Sequence, residues 1–165
     1  MDTGIGQALP RREDQRLLTG KGNYSDDYVR ADQIYGYMLR SPHAHARVKR
    51  IETASAKRAP GVRAVLTGAD YLADGLKPIP SRAMQVAPED IAKPALAYPD
   101  GRTAFEHPIM PVVAGKVHHV GEGVAFVVAD TLAQAKDASE LIEVEYEVLP
   151  SVIRGLDAIA PGAPT

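Results

Sequence analysis

Residues 116–147 read KVHHVGEGVAFVVADTLAQAKDASELIEVEYE, and the succession of patterns inside this stretch decides the fold. The runs at 116–120 and 124–129 are apolar and extended, and Gly121-Glu122-Gly123 between them marks a bend or bulge. The second run predicts a buried strand. Asp130 is an N-cap type residue. Beyond it Leu132, Ala135, Ala138 or Ser139, and Leu141-Ile142 recur at helical spacing, with Gln134, Lys136, Asp137 and Glu140 turned outward. Residues 143–149 then alternate, Val144, Tyr146 and Val148 against Glu143, Glu145 and Glu147, which predicts a strand with one buried and one acidic face. His118, His119 and the acidic turn could instead belong to a site, and that reading has to be weighed against a purely structural one.

Upstream, QIYGYMLRSP at 33–42 predicts a strand closed by Pro42, with Gly36 marking a bulge or a close backbone approach. HARVKRIET alternates weakly, Ala46, Val48 and Arg50 against Arg47, Lys49 and Ile51, as a half-buried strand would. Thr53 opens a short helix, stopped by Pro60-Gly61, and 62–68 predicts a valine-rich strand, so that a strand–helix–strand unit is expected. From Gly68 to about Pro111 periodicity is lost. Pro78, Pro80, Pro88, Pro94, Pro99, Pro108 and Pro111 fall here, and an excursion this long is usually functional, disordered or clamped against a partner. A short extended piece is expected near IMPVVA.

Three regions follow. Residues 1–31 are polar, charged and Gly-rich, an extended N-terminal arm that cannot pack alone; residues 32–150 form the domain; residues 151–165, rich in Ala, Pro and Gly, read as a linker or cut C-terminal tail. A chain of 165 residues buries roughly 70% of its unfolded surface, enough for a core without staples. A hydrophobic share of 45% and a net charge of -2 describe an ordinary globular protein with no nucleic-acid footprint. The absence of cysteine excludes disulfides, thiolate metal sites, iron–sulfur clusters and a cysteine nucleophile on this chain. No Trp and two Phe argue against base-stacking platforms. No apolar run approaches membrane-spanning length, and a cytoplasmic location is expected.

The candidate site residues each have a simpler structural reading. His43 and His45 lie two apart, so a strand would turn both to one face, but a closed metal site needs further ligands, and Asp70 or Glu106 would have to come from a distance. Hydrogen-bonding histidines at a strand start are the favoured reading. His118 and His119 are adjacent, so on a strand they diverge and cannot chelate together. Glu13-Asp14 among Arg11, Arg12 and Arg16 suits salt bridges to a docking surface better than acid–base work. Gly4 and Gly6 lack the strand and helix that a dinucleotide fingerprint requires. Glu143, Glu145 and Glu147 are a solvated strand face. No catalytic, cofactor-binding or metal-binding constellation is expected on this chain.

Four ordered segments, RREDQRLLTGKGNYSDD, GYMLRSPHAHARVKRIET, APGVRAVLTGAD and KVHHVGEGVAFVVADTLAQAKDASELIEVEYEVLP, resemble the opening domain of the molybdenum-binding large subunit of the xanthine dehydrogenase, aldehyde oxidase and carbon monoxide dehydrogenase family. The resemblance implies an α+β fold, the α/β-hammerhead, with mixed β-strands, two helices and the long proline-rich excursion. It departs at Gly123, where the family pattern has proline, and this is expected to loosen the bend. It further implies an oxidoreductase acting on an aldehyde, an N-heterocycle or carbon monoxide. That enzyme would carry a molybdenum–pterin cofactor, with iron–sulfur clusters and FAD on partner subunits or domains. The family's catalytic and pterin-contacting segments follow the hammerhead, so none is carried over to a residue here. The implied role is that of a structural domain or small subunit, inactive alone, whose partners are the remaining molybdenum-binding domains and the flavin and iron–sulfur subunits, with no nucleic acid and no membrane. The rival readings are a stand-alone non-catalytic binding or assembly module of the same fold, and a small metal protein using His43 and His45.

Overall fold

A computed structural model describes residues 6, 8, 10–79, 100–101 and 109–164. The chain divides into two compact units, Met1–Gln33 and Ile34–Thr165. Most of the proline-rich excursion, with Glu106, and Gly4 of the N-terminal glycine pair lie outside the described residues.

In the first unit, helix α1 (Asp14–Leu18) and a 3-10 turn at Ser25–Asp27 interrupt what the sequence predicts as an extended arm. Short local bonds account for both. The Arg11 N–H donates to Asp14 Oδ2 at 3.0 Å, and the Tyr24 N–H donates to Asp27 Oδ2 at 2.7 Å. The Asp14 carboxylate is thus engaged with the backbone of the turn that leads into α1.

The second unit holds strands β1 (Tyr35–Arg40) and β2 (Ala46–Glu52), helix α2 (Ala54–Lys57), strand β3 (Val62–Thr67), helix α3 (Gly68–Ala73), and strands β4 (Lys116–Val117) and β5 (Gly123–Ala129). Helix α4 (Leu132–Glu140), strand β6 (Glu143–Val148) and helix α5 (Gly155–Ala158) follow. They make two three-stranded sheets of order β1-β5-β3 and β4-β2-β6, in which every pairing is antiparallel. The expected strand–helix–strand unit is thus split, since β2 and β3 enter different sheets.

Strand β5 is the hub. Ala125, Val127 and Ala129 point to one face and pack with Val65, Ala56, and Ala135, Ala138 and Ile142 from α4 and its C-terminal end. Val124, on the opposite face, joins Ala46, Val113 and Val117 in a second cluster. Ile51 and Val144, from the inner face of the other sheet, pack against both clusters. The weak alternation in β2 has a physical cause: the register shifts between Val48 and Arg50, a bulge that returns Ile51 to the same side as Ala46 and Val48.

Several local expectations are corrected. Thr131, not Asp130, caps α4, its hydroxyl accepting the Gln134 N–H at 3.2 Å; Asp130 instead accepts from Arg63 Nε at 2.6 Å. Leu132 and Leu141 are exposed, because small residues at 135, 138 and 139 bring α4 close to the sheet and carry the contact. Val148 is likewise exposed, at the end of β6. The tail contains α5, where the sequence suggests no element.

Candidate interaction site

The bend at 121–123 is an anchor rather than a site. Gly121 adopts φ +88°, a left-handed conformation that favours glycine. Its N–H donates to the Ser41 carbonyl at 2.8 Å, its carbonyl accepts from Arg40 Nη1 at 2.7 Å, and the Glu122 carbonyl accepts the Ser41 N–H at 2.9 Å. The Glu122 carboxylate folds back to accept the His118 N–H at 2.5 Å. Gly123 is buried, and a Cβ there would stand 2.8 Å from Met38 Sδ and 2.9 Å from the Pro111 carbonyl. The bend is therefore closed by packing, not loosened by the missing proline.

The histidines are engaged separately. The His45 Nδ1–H donates to the Pro150 carbonyl at 2.6 Å, since a carbonyl only accepts. The His43 ring meets Tyr146 edge-on, with centroids 4.8 Å apart, and burial pushes the Tyr146 hydroxyl up from its ordinary pKa. Strand β4 ends at Val117, so His118 and His119 stand in the turn rather than on a strand, and the His119 Nδ1–H points to the Val120 carbonyl at 3.2 Å. Among the described residues no group of three or more His, Asp or Glu is placed to hold a metal ion. Glu147 pairs with Lys49 at 2.8 Å and lies 3.8 Å from Arg47, and the Lys49 ammonium holds its carboxyl below the usual range.

A different feature stands out. The face of the first sheet turned away from α4 presents Gly36 and Met38 from β1, Phe126 and Val128 from β5, and Ala64 and Leu66 from β3, by the register Met38–Phe126–Leu66 and Gly36–Val128–Ala64. Gly36 is needed for a close approach, as its glycine signal suggests: a Cβ there would fall 2.3 Å from Phe126 Cζ, so the ring lies over its backbone. Around this floor, Pro111 and Val112 form one wall and α3 the other, enclosing an apolar groove of about 300 Å³.

Helix α3 is held at both ends, which fixes that wall. Thr67 and Asp70 form a capping box: the Thr67 N–H and hydroxyl donate to Asp70 Oδ2 at 2.7 and 2.6 Å, and the Asp70 N–H returns to Thr67 Oγ1 at 3.4 Å. These bonds, the Thr67 hydroxyl first, hold the Asp70 carboxyl below its ordinary pKa. At the far end Gly75 takes φ +72°, the Leu76 N–H donates to the Tyr71 carbonyl at 3.3 Å and the Gly75 N–H to Leu72 at 3.0 Å. This is a Schellman stop, and its two hydrophobic partners, Tyr71 and Leu76, both line the groove. The loop at 113–114 crosses the start of α3 so closely that only glycine fits at 68, where a Cβ would meet the Val113 carbonyl at 2.2 Å. Asp70 and Asp74 give the rim its charge, and among the described residues no basic side chain lines the groove.

Two antiparallel three-stranded sheets, one of them covered by α4 and linked to the other through Ile51 and Val144, with short helices at the strand connections, give the architecture of the α/β-hammerhead. The chain belongs to the aldehyde oxidase and xanthine dehydrogenase family: the model of that family's a/b hammerhead domain matches residues 19–91 and 84–150. It is 40% identical over 161 residues to the carbon monoxide dehydrogenase large chain of Afipia carboxidovorans, covering 98% of this chain and 17% of that one. It is 35% identical over 159 residues to the nicotine 6-hydroxylase large subunit of Paenarthrobacter nicotinovorans, covering 96% of this chain and 17% of that subunit. In structure it is similar to quinoline 2-oxidoreductase from Pseudomonas putida 86, with a TM-score of 0.75 and 39% identity over 96% of this chain and 18% of that one. The chain thus spans about a sixth of the length of the relatives it matches. No helix among the described residues is long and apolar enough to cross a membrane.

The groove does not fit a molybdenum–pterin group. The groove offers apolar walls and two carboxylates, whereas an anionic phosphate-bearing pterin needs donors and positive charge.

Proposed function

We propose that this chain is the structural hammerhead domain of the large chain of a molybdenum hydroxylase, and that it performs no chemistry alone. The complete enzyme would oxidise an aldehyde, an N-heterocycle or carbon monoxide at a molybdenum–pterin centre, and pass electrons to iron–sulfur and flavin groups on partner subunits. The observation that carries the reading is the match over nearly the whole chain to about a sixth of much longer oxidoreductase chains, in a segment where many of the described polar side chains serve caps, turns and surface pairs. The relatives are named for different substrates, carbon monoxide, nicotine and quinoline, while this domain is retained, as a scaffold distant from specificity would be.

What the residues here do is hold shape. The Gly121–Gly123 bend ties β5 to β1, the bulge in β2 returns Ile51 to the core, and the capped α3 builds a groove wall. The test is assembly. Co-expression of this chain with the Afipia carboxidovorans large chain lacking its matching region is expected to give a one-to-one complex on size exclusion, with oxidase activity confined to the complex. A chain that shows no association, or that oxidises substrate alone, overturns the proposal.

A further inference from the structure

The two faces of the β1-β5-β3 sheet are unlike those of the other sheet. In the β4-β2-β6 sheet the inner face is apolar and the outer face carries Arg47, Lys49 and Glu147, the pattern of a sheet with one side in water. In the β1-β5-β3 sheet the central rows of both faces are apolar, and the polar residues Arg40, Arg63 and Thr67 stand at or near the strand ends. One is covered by α4. The other carries Met38, Phe126 and Leu66 in one register row, and Leu66 remains 44% exposed, with Leu76 beside the groove at 49%. A sheet apolar on both faces is normally covered on both.

We infer that this second face is a docking surface for a segment of the remaining large-chain polypeptide, one that presents a bulky apolar side chain to the Met38–Phe126–Leu66 floor and an Arg or Lys to the rim at Asp74. The inference rests on the reading of the chain as a domain of a larger chain, because relatives about six times as long supply the occupant. The charge of the rim selects its chemistry. Asp70 and Asp74 both border the groove, and among the described residues no cation lines it. The Asp70 carboxylate is committed to Thr67, which leaves Asp74 at the exposed end of α3 to meet a basic group. The capped and stopped α3 keeps the groove open in advance, so an incoming side chain does not have to order it.

The chain has no cysteine, so Leu66→Cys places a unique thiol in the groove, and Leu76→Cys places a second, independent one at its wall. Lys49→Cys on the charged sheet is the control. Each variant is co-expressed with the Afipia carboxidovorans large chain lacking the matching region, and maleimide labelling is followed by mass on this chain, alone and in the complex. In the complex, labelling at positions 66 and 76 is expected to slow at least tenfold while position 49 is unchanged, and Asp74→Lys is expected to weaken the complex several-fold. A complex in which 66 and 76 stay reactive overturns this surface and leaves the domain reading intact. Failure of the unsubstituted chain to form a complex removes both. Protection of 66 and 76 in the chain alone also overturns the inference: with monomeric mass the face is already covered, and with a dimer the occupant is a second copy. An affinity untouched by Asp74→Lys overturns the basic group.

Discussion

Gly36 and Phe126 give the sharpest test of how the groove floor is built. An alanine methyl at 36 would lie 2.3 Å from Phe126 Cζ, 2.9 Å from Cε2 and 3.2 Å from Cε1, against a preferred carbon–carbon separation of about 3.5–4.0 Å. The ring would have to retreat by about 1 Å or more from a position fixed between Met38 and Leu66. Overpacking of this kind costs about 1–3 kcal/mol. The φ of Gly36 is not positive, so alanine is free to adopt its backbone, and restricting the unfolded chain returns about 0.4–1 kcal/mol. The steric term is the larger. Gly36→Ala is therefore expected to destabilise by about 0.5–2 kcal/mol in urea unfolding. In a Phe126→Ala background the obstacle is gone while the entropic gain remains, so the same substitution should become neutral or stabilising by about 0.5 kcal/mol. The double-mutant cycle should show a coupling of about 1–2.5 kcal/mol. If Gly36→Ala has the same effect in both backgrounds, within about 0.3 kcal/mol, the close approach does not explain the glycine.

Val127→Ala, at a fully buried position in β5, should cost about 2–3 kcal/mol in chemical denaturation, whereas Val148→Ala, 63% exposed, should stay within about 0.5 kcal/mol; equal costs would refute β5 as the hub. Gly123→Ala should destabilise by about 1–3 kcal/mol, because Met38 Sδ and the Pro111 carbonyl occupy the space its methyl needs; a tolerated alanine would mean that the bend is loose after all. Thr67→Ala should cost about 1 kcal/mol through the lost cap of α3. The same capping pair sets an acid limb. The Asp70 carboxyl is held below its ordinary value of 3.8, so its contribution is complete above that pH and is lost as pH falls through the lower folded value. Thr67→Ala should flatten the stability profile in that acid range, and an unchanged profile would show that the hydroxyl does not hold the charge.

The α4 and β6 part of the fold was legible because its periodicity is local: the small residues Ala135, Ala138 and Ser139 define one helix face, and Val144 and Tyr146 one strand face. Strand β2 was only partly legible, since the bulge past Val48 shifts the alternation by one residue and makes Ile51 look outward in sequence. Helix α3 was missed although Thr67-Gly68-Ala69-Asp70 carries the capping signal; the prolines that follow drowned it. The choice of Asp130 over Thr131 as cap failed because Arg63, 67 residues away in sequence, claims the Asp130 carboxylate. The groove was not legible at all. Its floor is a row of residues 38, 126 and 66, brought together only by register, and no motif marks them.

The difference between the two sheets constrains how such a domain can sit within a larger chain. Covering the outer face of the β4-β2-β6 sheet would bury Arg47, Lys49 and Glu147, and removing such charges from water costs more than their mutual pairing usually returns. Left in solvent the pairs cost nothing and contribute at most about 1 kcal/mol each. Covering the groove side of the β1-β5-β3 sheet has the opposite balance. Leu66, Leu76, Met38 and Phe126 gain about 25 cal/mol for each Å² taken from water, and the rim carboxyls lie at the edge, where a cation reaches them without being buried deeply. Desolvation thus favours one face over the other before any partner contact is specified. The unequal sheet faces thus encode an orientation for the domain.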